Sequence, residues 1–267
     1  AFASAEHVVE VDLEINKVVA VPMETRAAVA RYRASDDHLA VEISTQNVLS
    51  VQGDLSAILG VPANRVSVEA PDVGGAFGVK LHAYTGHVLA AWCSMQLERP
   101  VKWVATRTEA FQSSHHARRH SLTARAALDG DARLAGLDVE STADVGGYLT
   151  QFGSNVPAGN VGTRLVGAYD VPNAYAEITG VFTNGTPLSA YRGAGRPEAT
   201  YITERLVSAC ARELGVDPAE LRRRNFFPPE AFPVETAMGA TYDSGDYAGA
   251  LEKALDIVGY DDLRDRQ

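Results

Sequence analysis

The chain has 267 residues, of which 46% are hydrophobic and 22% are charged, a composition typical of a globular protein with a buried core and not of a disordered one. Its 34 acidic and 24 basic side chains give a formal net charge of -10, which argues against nucleic acid or an anionic membrane surface as a partner. The sequence shows no apolar run of membrane-spanning length and no signal-peptide pattern at its start, so we predict a cytoplasmic protein without a membrane partner.

The first half of the chain combines short strand patterns with two helix patterns. Three strands are expected first, at residues 9–13, 28–32 and 39–43. A helix is then predicted from the cap residue Asn47 to Gly60. A strand at residues 66–68 enters the glycine-rich segment 71–80, and a mostly apolar helical stretch follows over about residues 83–97. Residues 66–97 are therefore predicted to form a strand, a glycine loop and a helix.

The second half begins with strands and ends with helices. Strands are predicted at residues 100–106, 121–128, 133–139 and 176–182. Asp129-Gly130-Asp131 between the second and third of these indicates an antiparallel hairpin. Helices are predicted from Pro197 to Gly215, from Asp217 onward, and over residues 247–258. The pattern predicts an α+β fold with mixed and antiparallel sheets and packed helices.

Two glycine-rich loops, at residues 71–80 and 190–197, each lie between a strand pattern and a helix pattern. Glycine permits positive φ and close approach of a ligand to the backbone, and a following helix presents free N–H groups to anionic oxygens. Such loops suit a cofactor that carries phosphate or oxo groups. Neither loop has P-loop or dinucleotide-binding spacing. Considered alone, each could also be no more than a tight turn.

Histidines and cysteines give weaker signals. His116 and His120 are four residues apart, but the sequence lacks a zinc-protease motif and two arginines separate them. We predict that these two residues, and likewise His82 and His87, lie in solvated polar stretches, and that the chain has no metal site of its own. The chain has only two cysteines, which excludes an iron–sulfur cluster held by four cysteines of this chain. Neither cysteine has the sequence context of a nucleophile.

Five segments carry a more specific signal. They are residues 44–46 (Ser-Thr-Gln), 71–80 (Pro-Asp-Val-Gly-Gly-Ala-Phe-Gly-Val-Lys), 183–184 (Thr-Asn), 190–199 (Ala-Tyr-Arg-Gly-Ala-Gly-Arg-Pro-Glu-Ala) and 217–225 (Asp-Pro-Ala-Glu-Leu-Arg-Arg-Arg-Asn). In residue type, order and spacing they closely resemble the large, molybdenum-binding subunit of the xanthine dehydrogenase, aldehyde oxidase and carbon monoxide dehydrogenase family. The resemblance extends over about residues 18–262.

The resemblance implies a molybdopterin cofactor, alone or as a dinucleotide, lying between two domains of the large subunit. Residues 1–17 would be the remnant of a preceding small domain, and residues 18–267 the first molybdopterin-binding domain. The second cofactor domain, which in the family carries the general-base glutamate, is absent from this chain. The implied partners are that second molybdopterin-binding domain or subunit, an iron–sulfur subunit, an FAD subunit and a small-molecule substrate. The chain begins with Ala and not Met, as a processed chain or a piece of a longer one would. We expect the chain alone to be inactive.

The resemblance also implies roles for individual residues. Gln46 resembles the glutamine whose amide approaches a molybdenum oxo ligand, and Arg192 resembles the active-site arginine that orients substrate or stabilises a developing anion. The remaining cofactor-binding positions are Gly74, Gly75, Ala76, Phe77, Gly78, Gly193, Ala194 and Gly195. The alternatives are a purely structural amide for Gln46 and a loop-closing ion pair between Arg192 and Glu198 or another acid.

Two positions narrow the substrate class that the resemblance implies. Gly193 stands where the carbon monoxide enzymes carry a copper-binding cysteine, and Leu81 stands where the purine-oxidising enzymes typically have a glutamate. Oxidation of an aldehyde or an N-heterocycle carbon with water-derived oxygen is the expected activity of the complete enzyme. The alternative is a non-catalytic subunit-interaction module of the same fold that binds no cofactor, and the molybdenum and pterin content distinguishes the two.

Overall fold

The computed structural model describes residues 1–267 and contains two four-stranded sheets with helices packed against them. The strands are β1 (His7–Val18), β2 (Ala27–Arg33), β3 (His38–Ile43), β4 (Val66–Glu69), β5 (Val101–Val104), β6 (Ala117–Leu128), β7 (Leu134–Gly146), β8 (Ala174–Phe182), β9 (Val234–Glu235) and β10 (Thr241–Tyr242). The helices are α1 (Val48–Leu59), α2 (Thr85–Leu97), α3 (Arg107–Ser113), α4 (Arg196–Leu214), α5 (Pro218–Asn225), α6 (Tyr247–Val258) and α7 (Tyr260–Asp265). The predicted α+β class is confirmed.

The larger sheet has the strand order β1-β6-β7-β8 and is mixed, because β7 and β8 run parallel while the other neighbours are antiparallel. The predicted hairpin joins β6 to β7. Its turn is stabilised by the Asp129 carboxylate, which accepts from the backbone N–H of Asp131 at 3.0 Å and of Arg133 at 2.8 Å. The predicted boundary between residues 17 and 18 falls at the end of β1, and that division of the chain stays a prediction.

Helix α4 covers the larger sheet and completes its core. Ile202, Leu206 and Cys210 are buried on one face of the helix and pack with strand residues such as Val139. Each such aliphatic side chain contributes roughly 1.5–3 kcal/mol when it is fully removed from water. Pro197 in the first turn and Gly215 at the end bound the helix as predicted.

The smaller sheet has the order β4-β3-β2-β5 and is covered by α1 and α2. Helix α1 begins where the Asn47 side chain accepts from the backbone N–H of Ser50 at 3.2 Å, and it ends at Gly60 in a left-handed conformation. Leu39 and Ile43 of β3 pack against Leu55 of α1 in a separate core. Each of the two sheets therefore has a hydrophobic core of its own.

Helix α3 has no counterpart among the predicted elements. It is too short, at seven residues, to show a helical repeat of apolar residues. Its start does carry a capping box: the Thr106 hydroxyl accepts from the N–H of Glu109 at 3.2 Å, and the Glu109 carboxylate accepts from the N–H of Thr106 at 2.6 Å. None of the seven helices has the length and apolar character needed to cross a membrane.

The prediction that the histidines lie in solvated stretches is wrong for three of them. His82, His87 and His120 are buried, with exposed fractions of 7%, 1% and 0%. His120 lies in β6 and its Nδ1 is 2.9 Å from the hydroxyl oxygen of Ser141 in β7. Burial lowers the pKa of His87 to about 3 and that of His120 to about 4. These two imidazoles are therefore neutral at physiological pH and can pack in an apolar interior.

The buried His120 should make stability depend on pH. An unfolded chain protonates histidine near pH ~6.5, whereas burial delays protonation of folded His120 until about pH 4. The unfolded state binds more protons between these values, so the free energy of unfolding falls as the pH is lowered through that window, by up to about 1.4 kcal/mol per pH unit. We expect His120→Gln to reduce this slope in urea unfolding. The exposed His7 provides the control, His7→Gln, which should retain the slope; an unchanged slope in His120→Gln would contradict the prediction.

Candidate cofactor-binding site

The first glycine loop connects β4 to α2 and has three residues at positive φ. They are Gly75 at +91°, Phe77 at +54° and Gly78 at +100°. A bulky residue rarely adopts positive φ, so the surrounding structure must impose this conformation on Phe77. The Phe77 side chain is 43% exposed, which places an aromatic ring on the open side of the loop.

One carboxylate anchors both ends of this loop. Oε2 of Glu24 accepts from the N–H of Gly74 at 2.9 Å, from Nζ of Lys80 at 2.7 Å and from the Ser44 hydroxyl at 2.6 Å. Burial alone would raise the pKa of Glu24, but the hydrogen bonds from Lys80 and Ser44 outweigh it and the pKa is lowered. Burial lowers the pKa of Lys80. The loop therefore depends on an ion pair in which the Lys80 side chain is buried and the Glu24 side chain is partly exposed.

Gln46 lies against the first loop. Its backbone N–H donates to the Lys80 carbonyl at 3.1 Å, and its Oε1 accepts from the N–H of Gly78 at 2.7 Å. The amide oxygen therefore braces the loop, as the structural alternative for Gln46 supposes. The Nε2 group of the same amide has no acceptor within the chain, and the side chain is exposed. The amide is thus oriented with its free donor available to a ligand.

The second glycine loop leads into α4 and has three consecutive residues at positive φ, namely Gly193 at +97°, Ala194 at +43° and Gly195 at +92°. The Asn160 side chain donates to the Ala194 carbonyl at 2.9 Å. A Cβ atom on Gly195 would lie 2.7 Å from the Val156 carbonyl oxygen. Only glycine therefore permits the loop to pack this closely against the preceding turn.

The two loops, which are more than a hundred residues apart in sequence, meet in the structure. The N–H of Arg192 donates to the Phe77 carbonyl at 2.9 Å. A Cβ atom on Gly78 would lie only 2.6 Å from the Ala190 carbonyl oxygen. All ten residues predicted for the site thus lie in, or against, one pair of adjoining loops.

The side chain of Arg192 is exposed and makes no ion pair or hydrogen bond within the chain. The ion pair with Glu198 that is the structural alternative for Arg192 is made instead by Arg118, whose Nη1 lies 2.7 Å from Oε2 of Glu198. The Arg192 guanidinium is therefore a fixed positive charge that is not neutralised by a neighbouring acid.

The donors at this junction share one property, which is that they have no acceptor within the chain. They are the backbone N–H groups of Ala76, Phe77, Gly193 and Gly195, together with Nε2 of Gln46. The 19-residue helix α4 begins directly after Gly195, and its N-terminus adds a favourable field for negative charge. This donor set fits a group that carries oxo or phosphate oxygens. No three metal-ligating side chains are grouped within residues 1–267.

A cleft of about 690 Å³ lies elsewhere, between the layer of the smaller sheet and segments 148–151 and 184–187. Arg26, His82 and Tyr84 are among its lining residues, and none of the predicted site residues is. The Arg26 guanidinium stacks on the Tyr84 ring, 3.9 Å from its centroid. The predicted site residues therefore lie at the loop junction and not in this cleft.

Sequence reasoning missed the residues that hold the two loops. Glu24 lies in a segment without regular structure and Asn160 ends a π-helical turn, Asn155–Asn160. Both are far from the loops in sequence, and no spacing rule connects them to the loops. Lys80 ends the glycine-rich segment and carries no separate signal there. Arg118 stands out in the sequence only as a charge between two histidines. A signal for these residues would require knowledge of which segments become neighbours.

Comparisons with known proteins agree with this geometry. The family model described as the molybdopterin cofactor-binding domain matches residues 1–226. The chain is 37% identical to the carbon monoxide dehydrogenase large chain of Hydrogenophaga pseudoflava and 33% identical to the nicotine 6-hydroxylase large subunit of Paenarthrobacter nicotinovorans, in each case over its whole length and 33% of the relative. The structure of quinoline 2-oxidoreductase from Pseudomonas putida 86 superposes with a TM-score of 0.95 at 34% identity, over the whole of this chain and 34% of that one.

The chain thus spans about a third of the length of the relatives it matches. The match covers both glycine loops and both four-stranded sheets. The resemblance inferred from five short segments is confirmed, and the chain belongs to the molybdopterin cofactor-binding domain family.

Proposed function

We propose that this chain forms one wall of the molybdopterin pocket in a molybdenum hydroxylase that oxidises an aldehyde or an N-heterocycle carbon. The observation that carries the proposal is the junction of the two loops through the 2.9 Å hydrogen bond from Arg192 to Phe77. That contact brings the loops that carry the unpaired N–H donors, the Gln46 amide and the Arg192 cation to one junction. Such a junction can bind anionic oxygens by preorganised hydrogen bonds.

Each group has a distinct role in the proposal. The bound molybdenum cofactor would supply two-electron redox chemistry and incorporate oxygen derived from water. The Nε2 group of Gln46 and the unpaired backbone N–H groups of the two loops bind and orient it. Arg192 holds a positive charge where substrate approaches, and its planar fork can grip two oxygen atoms. The exposed ring of Phe77 restricts the direction of approach.

The substrate class rests on three supports. Gly193 and Leu81 disfavour copper-dependent oxidation of carbon monoxide and hydroxylation of purines respectively, as the family pattern implies. Nicotine and quinoline, named in two of the relatives, are both N-heterocycles, which favours a heterocycle over an aldehyde. Iron–sulfur and FAD subunits, and a second molybdopterin-binding domain, complete the proposed assembly.

Cofactor content tests the proposal directly. The full-length protein, purified with its partners, should contain about one molybdenum and one pterin per chain, because each pocket holds one cofactor. Molybdenum and pterin are measured by elemental analysis and by fluorescence of the oxidised pterin. Their absence would support the non-catalytic module. The isolated 267-residue chain should not turn over aldehydes with an artificial electron acceptor. Turnover would contradict the proposal that this chain forms only one wall of the pocket.

Replacing Arg192 tests its role within the pocket. We expect Arg192→Lys in the assembled enzyme to lower turnover by about ten- to a hundredfold, the ~2 kcal/mol of a misaligned charge-assisted contact, with normal molybdenum content. The matched control is Arg205→Lys, which changes an exposed arginine on the same helix as Glu198. Loss of molybdenum together with activity would show that Arg192 braces the loop. Unchanged kinetics would show that Arg192 has no role in the reaction.

A further inference from the structure

We propose that Arg118 is a positioning residue that fixes the backbone of the second glycine loop and thereby aims Arg192. This inference rests on the proposed function of Arg192. Arg118 lies at the start of β6, about 70 positions before the loop in sequence. Its guanidinium contacts the loop and the buried carboxylate behind it, and it lies on no surface that we assign to cofactor or substrate.

The backbone at Arg118 is unusual for a strand. Arg118 and Arg119 both have positive φ, +69° and +73°. The pairing of β6 with β1 extends from His7↔Leu128 to Val18↔Ala117, and the one pair it omits lies between Ile15↔His120 and Lys17↔Arg118. Two adjacent non-glycine residues in this conformation persist only where other contacts impose it. The irregularity turns the Arg118 side chain out of the regular alternation of the strand.

Three contacts of one guanidinium account for this conformation. Nη1 of Arg118 pairs with Oε2 of Glu198 at 2.7 Å, and Nη2 donates to the Arg192 carbonyl at 3.2 Å. The guanidinium carbon lies 5.1 Å from the centroid of the Tyr191 ring. Glu198 is 1% exposed and the Arg118 side chain 14%. Arg118 therefore links the first turn of α4 to the two residues that begin the loop.

This arrangement requires a planar, forked cation. Lysine at position 118 could keep the ion pair with Glu198, but a single ammonium on a flexible stem cannot also serve the Arg192 carbonyl in the same geometry. The neighbouring Arg119 gives a matched comparison. It has the same backbone conformation, but its Nη1 pairs at 3.4 Å with Glu14 on an exposed surface. Substitution by lysine at the two positions therefore separates the effect of the Arg118 side-chain contacts from the effect of the backbone irregularity.

The experiment compares Arg118→Lys and Arg119→Lys in the full-length protein with its partners. Hydrogen exchange by mass spectrometry is followed on peptides that cover residues 190–198. The amides to follow are those of Arg192, Ala194 and Arg196, which donate to the carbonyls of Phe77, Tyr191 and Gly193. We expect their exchange to become about tenfold faster in Arg118→Lys, as for the loss of one charge-assisted hydrogen bond that holds a loop, and to stay unchanged in Arg119→Lys. Unchanged exchange in Arg118→Lys, or equal changes in both variants, would overturn the proposal.

A double-mutant cycle then tests whether Arg118 acts through Arg192. Arg118→Lys should lower kcat about tenfold at normal molybdenum content in the wild-type background, and it should have little further effect in the Arg192→Lys background. Equal losses in the two backgrounds would mean that Arg118 does not aim Arg192. Exchange is measurable with or without cofactor, so the two ideas fail separately. Absence of molybdenum from the wild type would contradict the proposed function, and unchanged exchange in Arg118→Lys would contradict the positioning role of Arg118.

Discussion

Gly78→Ala is expected to lower the free energy of unfolding by about 3 kcal/mol or more, from left-handed backbone strain of ~1–2 kcal/mol and overpacking of ~1–3 kcal/mol. The new Cβ would lie 2.6 Å from the Ala190 carbonyl oxygen and 3.1 Å from Cα of Tyr191, with φ at +100°. These neighbours are backbone atoms of the second loop, and they cannot rotate away. Urea unfolding followed by circular dichroism measures the loss.

The same substitution should separate the two loops and so deplete the cofactor. The N–H of Gly78 donates to Gln46, so displacement of Gly78 also frees the amide that the proposal assigns to the cofactor. Gly60→Ala is the matched control, because Gly60 also has positive φ, at +68°, but a Cβ atom added there would have no neighbour within 4 Å. We expect it to cost only about 1 kcal/mol, with normal molybdenum content. Equal effects of the two substitutions would contradict the close approach of the loops.

Local patterns in the sequence were sufficient for most of the secondary structure. The Asn47 cap, the left-handed Gly60 and the Asp129 turn act within a few residues, and each appears in the structure as predicted. The loop residues were identified by resemblance, and the glycines among them predict only that other groups can approach the backbone closely. What resisted prediction depends on distance along the chain. The carboxylate that anchors Gly74 is 50 residues away, and no periodic pattern encodes such a contact.

The buried histidines illustrate the same limit from another side. A histidine beside arginines has the composition of a polar surface, and His120 follows two of them. The strand alternation nevertheless places it on the inner face, where Ser141 of the neighbouring strand meets its ring. Because a neutral imidazole can be buried when one of its ring nitrogens is hydrogen-bonded, as Nδ1 of His120 is, residue type alone does not decide its location. The register between β6 and β7 does.

The ion pair between Glu24 and Lys80 should give an asymmetric response to mutation. The Lys80 side chain is 1% exposed, whereas that of Glu24 is 34% exposed. Glu24→Gln leaves a buried ammonium without its counter-charge, which costs about 3 kcal/mol at pH 7. Lys80→Met removes the buried charge and leaves a carboxylate that water can reach, so we expect a loss of about 1 kcal/mol. The double variant should resemble Lys80→Met alone.

The dependence on pH identifies the uncompensated lysine as the cause. In Glu24→Gln, burial still lowers the pKa of Lys80, and the favourable contribution of the carboxylate is gone. The unfolded state then binds more protons than the folded state as the pH approaches the lowered pKa, so stability rises with pH. We expect the deficit of Glu24→Gln relative to the wild type to shrink between pH 7 and pH ~10 in urea unfolding. Lys80→Met should show no such recovery, because the titrating group is absent. If the stability deficit of Glu24→Gln stays constant with pH, the loop is destabilised by the lost hydrogen bond to Gly74 and not by the uncompensated charge of Lys80.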